Sequence, residues 1–272
     1  MLLFPELPAT KADLVRGLLR DKRTRDAARA FVIEGVKPIR ELLATGKESL
    51  RLLVVTETFL ETCEPRFRRA LESARGSVYQ CPARLFSKLA DVVTPLGILA
   101  AVEQPRWDLS AILARPKLLG LYGECIQDPA NVGAIIRTAG AFGLDAVWLT
   151  KDSADVFNPK IVRATAGMVL RVPTFTLQDT AVFEEHACSL LAAQIGHKGS
   201  RAIHEITELP SRAILAFGNE SRGLSQATLK QAAVRFNIPI AQGVESLNVA
   251  ASAAIAAFYF RGLTGETKRR NA

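Results

Sequence analysis

From Leu118 onward, short runs of branched apolar residues alternate with segments of helical spacing, and this alternation constrains the fold more than any other feature. Residues 118–122, 146–150, 190–195, 214–217 and 236–240 read as strands; 130–142 and a closing stretch from about 247 to 261 read as helices. Strands joined through helices predict an α/β fold whose mostly parallel sheet carries helices on both faces. In such sheets ligands sit beyond the carboxyl ends of the strands, so the loops following the strands are where chemistry is expected.

The preceding residues follow a looser pattern. Residues 11–30 are polar and Arg-rich, with Leu14, Leu18 and Leu19 at helical spacing; 31–35 reads as a strand closed by Gly35, and 36–44 as a helix. Residues 52–56, 78–81 and 98–102 are further branched runs of strand length. This predicts a small α/β domain over residues 1–105. Prolines at 105 and 116 bracket a polar connection, 106–117, and residues 118–272 form the second domain. Residues 1–106 hold 18 basic and 13 acidic side chains, so +5 of the net +8 lies in the shorter part. A basic balance favours a polyanionic partner, nucleic acid above all.

Several classes lose ground by absence. No G-x-G-x-x-G opens a βαβ unit, which disfavours a dinucleotide-dependent oxidoreductase, and residues 262–268 have the wrong spacing for a phosphate-binding loop. The stretch His204-Glu205-Ile206-Thr207-Glu208 lacks the second histidine of a zinc helix, and His186, His197 and His204 follow no metal spacing, so no metal is expected. Cys63, Cys81, Cys125 and Cys188 are too scattered for a zinc or disulfide framework and read as reduced thiols. The apolar run 249–260 has about half the length that spans a bilayer. With no apolar leader at the N-terminus, a cytoplasmic protein without membrane attachment is expected.

Three post-strand segments stand out. In the first, Asp128 and Pro129 suit a helix start, placing Asn131 and Arg137 on a helix whose N-terminus faces the strand-end crevice. In the second, Gly218-Asn219-Glu220-Ser221-Arg222-Gly223 sets a carboxylate between two glycines, where a backbone can approach a ligand closely. In the third, Ser246 is a candidate cap for a helix of small residues that begins Leu247-Asn248-Val249. Each taken alone also reads as an ordinary capped helix or turn.

Taken together, in this order, Asn131-x-Gly133-x-x-x-Arg137-Thr138-Ala139, Gly218-Asn219-Glu220-x-x-Gly223-Leu224-Ser225 and Ser246-Leu247-Asn248-Val249 resemble the three motifs of the SpoU (TrmH) family of RNA ribose methyltransferases. The resemblance covers roughly residues 118–263. Residues 152–171, with Lys160, Arg163, Thr165 and Gly167, are similar to the family's segment between the first two motifs, and 31–36 to a small RNA-recognition domain that precedes many members.

The resemblance implies a deep trefoil knot, an exception to the unknotted rule, and S-adenosylmethionine held by three loops. Carried onto this chain, those loops are centred on Gly218, Ile238 and Leu247, with Asn219, Ile240 and Val249 nearby. It also implies a homodimer through the C-terminal domain, and 2′-O-ribose methylation of RNA, with ribosomal RNA favoured over transfer RNA. Arg137 would be the central catalytic residue, Asn131 would orient the hydroxyl or its phosphate, and Glu220, Ser246 and Asn248 would complete the site. A guanidinium is a poor literal base, so Arg137 would either stabilise the developing alkoxide or act deprotonated in a desolvated setting. Base methylation and a catalytically inactive RNA-binding protein of the same fold are the alternatives.

Overall fold

The computed structural model describes residues 4–45, 49–92, 94–196 and 199–265; His197 and the basic Lys268-Arg269-Arg270 tail fall outside them. The chain forms two compact units, Met1–Arg106 with Phe157–Gly167, and Trp107–Val156 with Met168–Ala272.

In the first unit the elements are α1 (Ala9–Arg20), α2 (Lys22–Ala28), β1 (Ala30–Glu34), α3 (Val36–Thr45), β2 (Leu50–Thr56), α4 (Glu57–Thr62), α5 (Pro65–Ser73), β3 (Val78–Cys81), α6 (Ala83–Leu89) and β4 (Ile98–Glu103). The sheet runs β1-β4-β2-β3, with β4 antiparallel to both neighbours and β2 parallel to β3. The helical stretch expected over 11–30 is interrupted. Asp21 leaves the helix and its carboxylate accepts the Arg23 and Thr24 amides at 3.1 and 3.0 Å, capping a second helix. Arg29 then turns left-handed, and the strand starts at Ala30.

The inserted segment belongs to this unit through its own apolar residues. Pro159, Ile161 and Val162 are buried, and the Phe157 ring lies 4.8 Å from that of Phe31 on β1. Arg163 donates to Asp91 at 3.0 Å and lies 3.7 Å from the Glu34 carboxylate. Burial raises the Glu34 pKa above the ordinary range, against the lowering effect of Arg163.

The second unit opens with α7 (Leu109–Leu113) inside the stretch expected to be a linker; Ile112 and Leu113 are buried in its core. There follow β5 (Leu118–Gly123), α8 (Pro129–Phe142), β6 (Val147–Thr150) and, after α9 (Pro159–Ala164) of the first unit, β7 (Thr174–Leu177), α10 (Ala181–Glu185), β8 (Ser189–Ala193), β9 (Arg201–Ala202), β10 (Arg212–Phe217), α11 (Gln226–Gln231), β11 (Ala232–Asn237) and α12 (Val249–Leu263). Every pairing in the sheet, ordered β7-β6-β5-β10-β8-β11-β9, is parallel. Strand order reverses between β5 and β10, which creates a crevice at their carboxyl ends. The strand expected over 236–240 ends at Asn237 instead. Pro239 has no amide proton to give a ladder, and the chain leaves the sheet before it.

Candidate active site

The loops that follow β5, β10 and β11 meet at that crevice. The loop after β5 is pinned to its neighbour: the Cys125 amide donates to Thr150 Oγ1 at 2.8 Å and the Ile126 amide to Ser153 Oγ at 3.1 Å. Cys125 itself is left-handed, with φ +55°. Its thiol donates to Asp152 Oδ2 at 2.6 Å, a bond that raises the thiol pKa and lowers that of the carboxyl.

The turn after β10 is latched to the first loop through Asn219. Its Oδ1 accepts the amides of Ser221 and Arg222 at 3.0 and 3.2 Å, which closes the turn. That leaves Nδ2 pointing away to donate to the Cys125 carbonyl at 2.9 Å. Gly218 is required by the turn itself: a Cβ there would lie 2.1 Å from the Gly223 carbonyl carbon and 2.2 Å from the Leu224 nitrogen. The close approach anticipated from sequence is therefore to the loop's own backbone.

A directional hydrogen-bond chain joins all three sequence segments. Asn248, not Ser246, caps α12: its Oδ1 accepts the amides of Ala250 and Ala251 at 2.9 and 3.1 Å. The amide nitrogen of Asn248 must then donate elsewhere, and it does so to Asn131 Oδ1 at 2.8 Å. Asn131, 6% exposed, passes the direction on by donating from Nδ2 to Glu220 Oε1 at 2.7 Å. Because a helix N-terminus fixes the first carbonyl, the orientation of both amides follows. Asn131 is thus bonded at both ends within the protein.

Beside this chain lies a cavity of about 410 Å³ at the ends of β8, β10 and β11. Gly218, Asn219, Ile238, Ile240, Leu247 and Val249 all line it, as do Glu220 and Ser246. Sequence reasoning missed Gln194, which lines it from the end of β8. No local pattern marks that residue as more than the polar end of an apolar strand.

Arg137 stands apart. It is exposed on α8 with no hydrogen bond or ion pair among the described residues, about 120° around the helix from Asn131. Its face also presents Ala130, Ala134 and Ala141. Ala251, Ile255, Phe258 and Gly262 form an exposed stripe on α12, with Ile255 41% and Phe258 70% exposed. The Phe258 ring meets that of Phe142 of α8 at 5.9 Å, on the side of α8 that carries Asn131. No group of three or more His, Cys, Asp or Glu among the described residues could hold a metal, and no described helix is long and apolar enough to cross a membrane.

Residues 119–258 match the SpoU rRNA Methylase family, and residues 16–100 match an MRM3-like substrate binding domain. A 23S rRNA (guanosine(2553)-2′-O)-methyltransferase of Bacillus subtilis is 31% identical over 245 residues, covering 90% of this chain and 93% of its own. The crystal structure of an AdoMet-bound rRNA methyltransferase from Sinorhizobium meliloti superposes with TM-score 0.81 at 27% identity, covering 95% of this chain and 96% of the other. The SpoU methyltransferase AviRb from Streptomyces viridochromogenes, in complex with AdoMet, shares the fold at TM-score 0.79 and 24% identity, over 94% and 99% of the two chains. With its fold, its three joined motifs and these matches in agreement, the chain belongs to the SpoU rRNA methylase family.

Proposed function

We propose that this protein methylates the ribose 2′-oxygen of ribosomal RNA, using S-adenosylmethionine and working as a homodimer. The observation that carries the reading is the Asn248–Asn131–Glu220 chain set against the cavity. It joins the three segments that resemble the family's motifs into one site. The cavity's volume of about 410 Å³ suits a nucleoside-sized ligand. Its walls combine apolar surface from Phe217, Ile238, Ile240 and Leu247 with backbone and amide groups from Gly218 and Gln194, as an adenosyl group with a short amino-acid arm requires.

When bound, the cofactor supplies an electrophilic methyl group, and the protein's task is to place and deprotonate the hydroxyl. Asn131 and Asn248 act as positioning residues that hold Glu220 at the cavity wall. Glu220 keeps Oε2 as an acceptor for the hydroxyl, at 3.5 Å from Asn219 Nδ2. Arg137 supplies positive charge where the alkoxide develops.

The exposed position of Arg137 supports a dimer. Within one chain the residue is exposed and away from Asn131, where its field is screened. Pairing the α8 and α12 stripes of two copies covers Phe258 and Ile255 and desolvates Arg137 beside a second chain. Phe258→Glu should leave the protein monomeric in sedimentation and Arg137→Ala should abolish methyl transfer while leaving cofactor affinity within a few-fold.

The substrate-binding match over 16–100 and the names of the relatives support ribosomal RNA. The test is transfer of labelled methyl groups to ribosomal and transfer RNA from cells lacking the gene, followed by nucleoside analysis. Labelled 2′-O-methyl nucleosides in ribosomal RNA are expected. Label on a base would overturn the reaction, and label confined to transfer RNA would overturn the target.

A further inference from the structure

Gln194 sits where β8 ends, between β10 and β11. Its backbone is fully used: the amide donates to the Phe236 carbonyl at 2.8 Å, and its carbonyl accepts from Ser200 Oγ at 3.0 Å. The side chain is different. The residue lines the cavity, its Oε1 is buried, and that atom has no hydrogen-bond partner. No hydrogen bond of the amide nitrogen is found among the described residues either. A buried amide oxygen left without a partner is costly, and few survive in folded proteins without a reason. The wall it shares includes apolar residues, among them Ile195, Phe217, Leu229 and Phe236.

We infer that Gln194 reads the Watson–Crick or Hoogsteen edge of the cofactor's adenine, and so sets the preference for an adenine nucleoside over other bases. The inference rests on the proposal that S-adenosylmethionine occupies this cavity. An adenine edge offers a donor, the 6-amino group, next to a ring-nitrogen acceptor. A carboxamide offers the complementary pair, as Gln does when it binds adenine bidentately. The match survives either placement of the amide oxygen and nitrogen, because turning the amide exchanges one adenine edge for the other. Asn219 is consumed by its turn and its latch, and Glu220 is held by Asn131. Among the described lining residues, Gln194 is the one with a buried side-chain polar atom that has no hydrogen-bond partner.

Calorimetry on the full-length protein tests this with S-adenosylhomocysteine and its 6-deamino analogue, in which hydrogen replaces the 6-amino group so that turning the amide cannot restore the lost bond. Wild type should prefer the adenosyl compound by about tenfold or more. Gln194→Leu keeps the side chain's size and removes both polar atoms. It should weaken S-adenosylhomocysteine binding about tenfold, equivalent to about 1.4 kcal/mol, and bind the two ligands within a factor of about two of each other. A second readout separates a ligand contact from a structural one. With no ligand present, Gln194→Leu should melt at or above the wild-type temperature, because it deletes an amide that has no partner in the protein. A fall in ligand-free melting temperature would overturn the inference in favour of a structural role, as would unchanged discrimination by the variant. Wild-type protein that binds neither compound would overturn the cofactor reading itself.

Discussion

Asn131→Leu tests the central hydrogen-bond chain with little change in side-chain volume. The side chain is 6% exposed and makes two bonds, to a carboxylate at 2.7 Å and to a neutral amide at 2.8 Å. Bonds of these two kinds contribute about 1.5–3 and 0.5–1.5 kcal/mol net. Glu220 is exposed and regains water when its partner is lost, which offsets part of the first. Loss of Asn131 should therefore cost about 2 kcal/mol, a fall of about 4–8 °C in melting temperature for a unit of this size. Both tryptophans, Trp107 and Trp148, lie in the second unit, so tryptophan fluorescence during urea unfolding reports on that unit alone.

The decisive measurement is a double-mutant cycle with Glu220→Ala. Direct contact predicts a coupling of about 1–2 kcal/mol, whereas independent sites add to within about 0.5. Methyl transfer should fall on the order of 100-fold, because Glu220 and the α12 loop lose their shared register. Additive effects, with Asn131→Leu within about 0.5 kcal/mol of wild type, would refute the argument that Asn131 holds the site together.

Four further outcomes follow from local geometry. Burial raises the folded-state Glu34 carboxyl above its ordinary value of 4.5, so stability is greatest below that value and is lost as pH rises through the raised one. Calorimetric melting should then show Glu34→Gln gaining on wild type between pH 4 and 7, and a constant gap would be a contrary result. Asp152→Asn removes the carboxylate charge that, with its hydrogen bond, keeps the Cys125 thiol protonated, so alkylation of Cys125 at pH 8 should accelerate a few-fold while Cys63 reacts as before. Gly218→Ala should lower the stability of the second unit by more than about 1 kcal/mol as well as cofactor affinity, since its Cβ would strike the loop backbone; lost binding with unchanged melting would mean that the clash is with ligand alone. Arg20, Arg23 and Arg29 are exposed without ion pairs among the described residues, while Arg16 pairs with Asp13, Lys22 with Asp26, and buried Arg25 donates to the Leu18 carbonyl. Neutralising the three exposed arginines should flatten the salt dependence of RNA binding by about 2–3 log units per decade, at 0.7–0.9 per phosphate contact.

Elements with a strong, self-contained pattern could be read from the sequence almost to the residue. The strand expected over 78–81 is β3, and the helix over 130–142 differs from α8 by the single Pro129 at its start. Elements whose stability comes from tertiary pairing could not. β7, Thr174-Phe175-Thr176-Leu177, is a short edge strand with a single buried residue, Leu177, too weak a signal to separate from loop. The site divides in the same way. All six residues placed at the cofactor loops line one cavity, since a motif-bearing loop at a strand end has few places to go. Which side chains touch was not legible: Asn131 meets Glu220 across 89 residues and Asn248 across 117. The cap on α12 moved from Ser246 to Asn248 because Asn248 alone can cap the helix and also reach Asn131.

The first unit's boundary is legible only at one end, and the reason bears on how the protein can be dissected. A domain read along the sequence is contiguous, so residues 118–272 look like a separable enzyme. Yet Phe157–Gly167 packs with Met1–Arg106, burying Pro159, Ile161 and Val162 and placing Arg163 between Glu34 and Asp91. A fragment starting near residue 117 would leave that helix without its apolar cover and without either carboxylate. It would also retain Gly167 at φ +90°, a conformation held in the whole chain beside Pro38 of α3. Polar segments of this length carry no hydrophobic run long enough to advertise where they dock, and three apolar side chains on six residues are as common in a helix that covers its own domain. Recognition by the first unit is therefore better probed by charge neutralisation in the full chain than by truncation. In a truncated protein, loss of RNA affinity and collapse of the 157–167 segment would arrive together and could not be told apart.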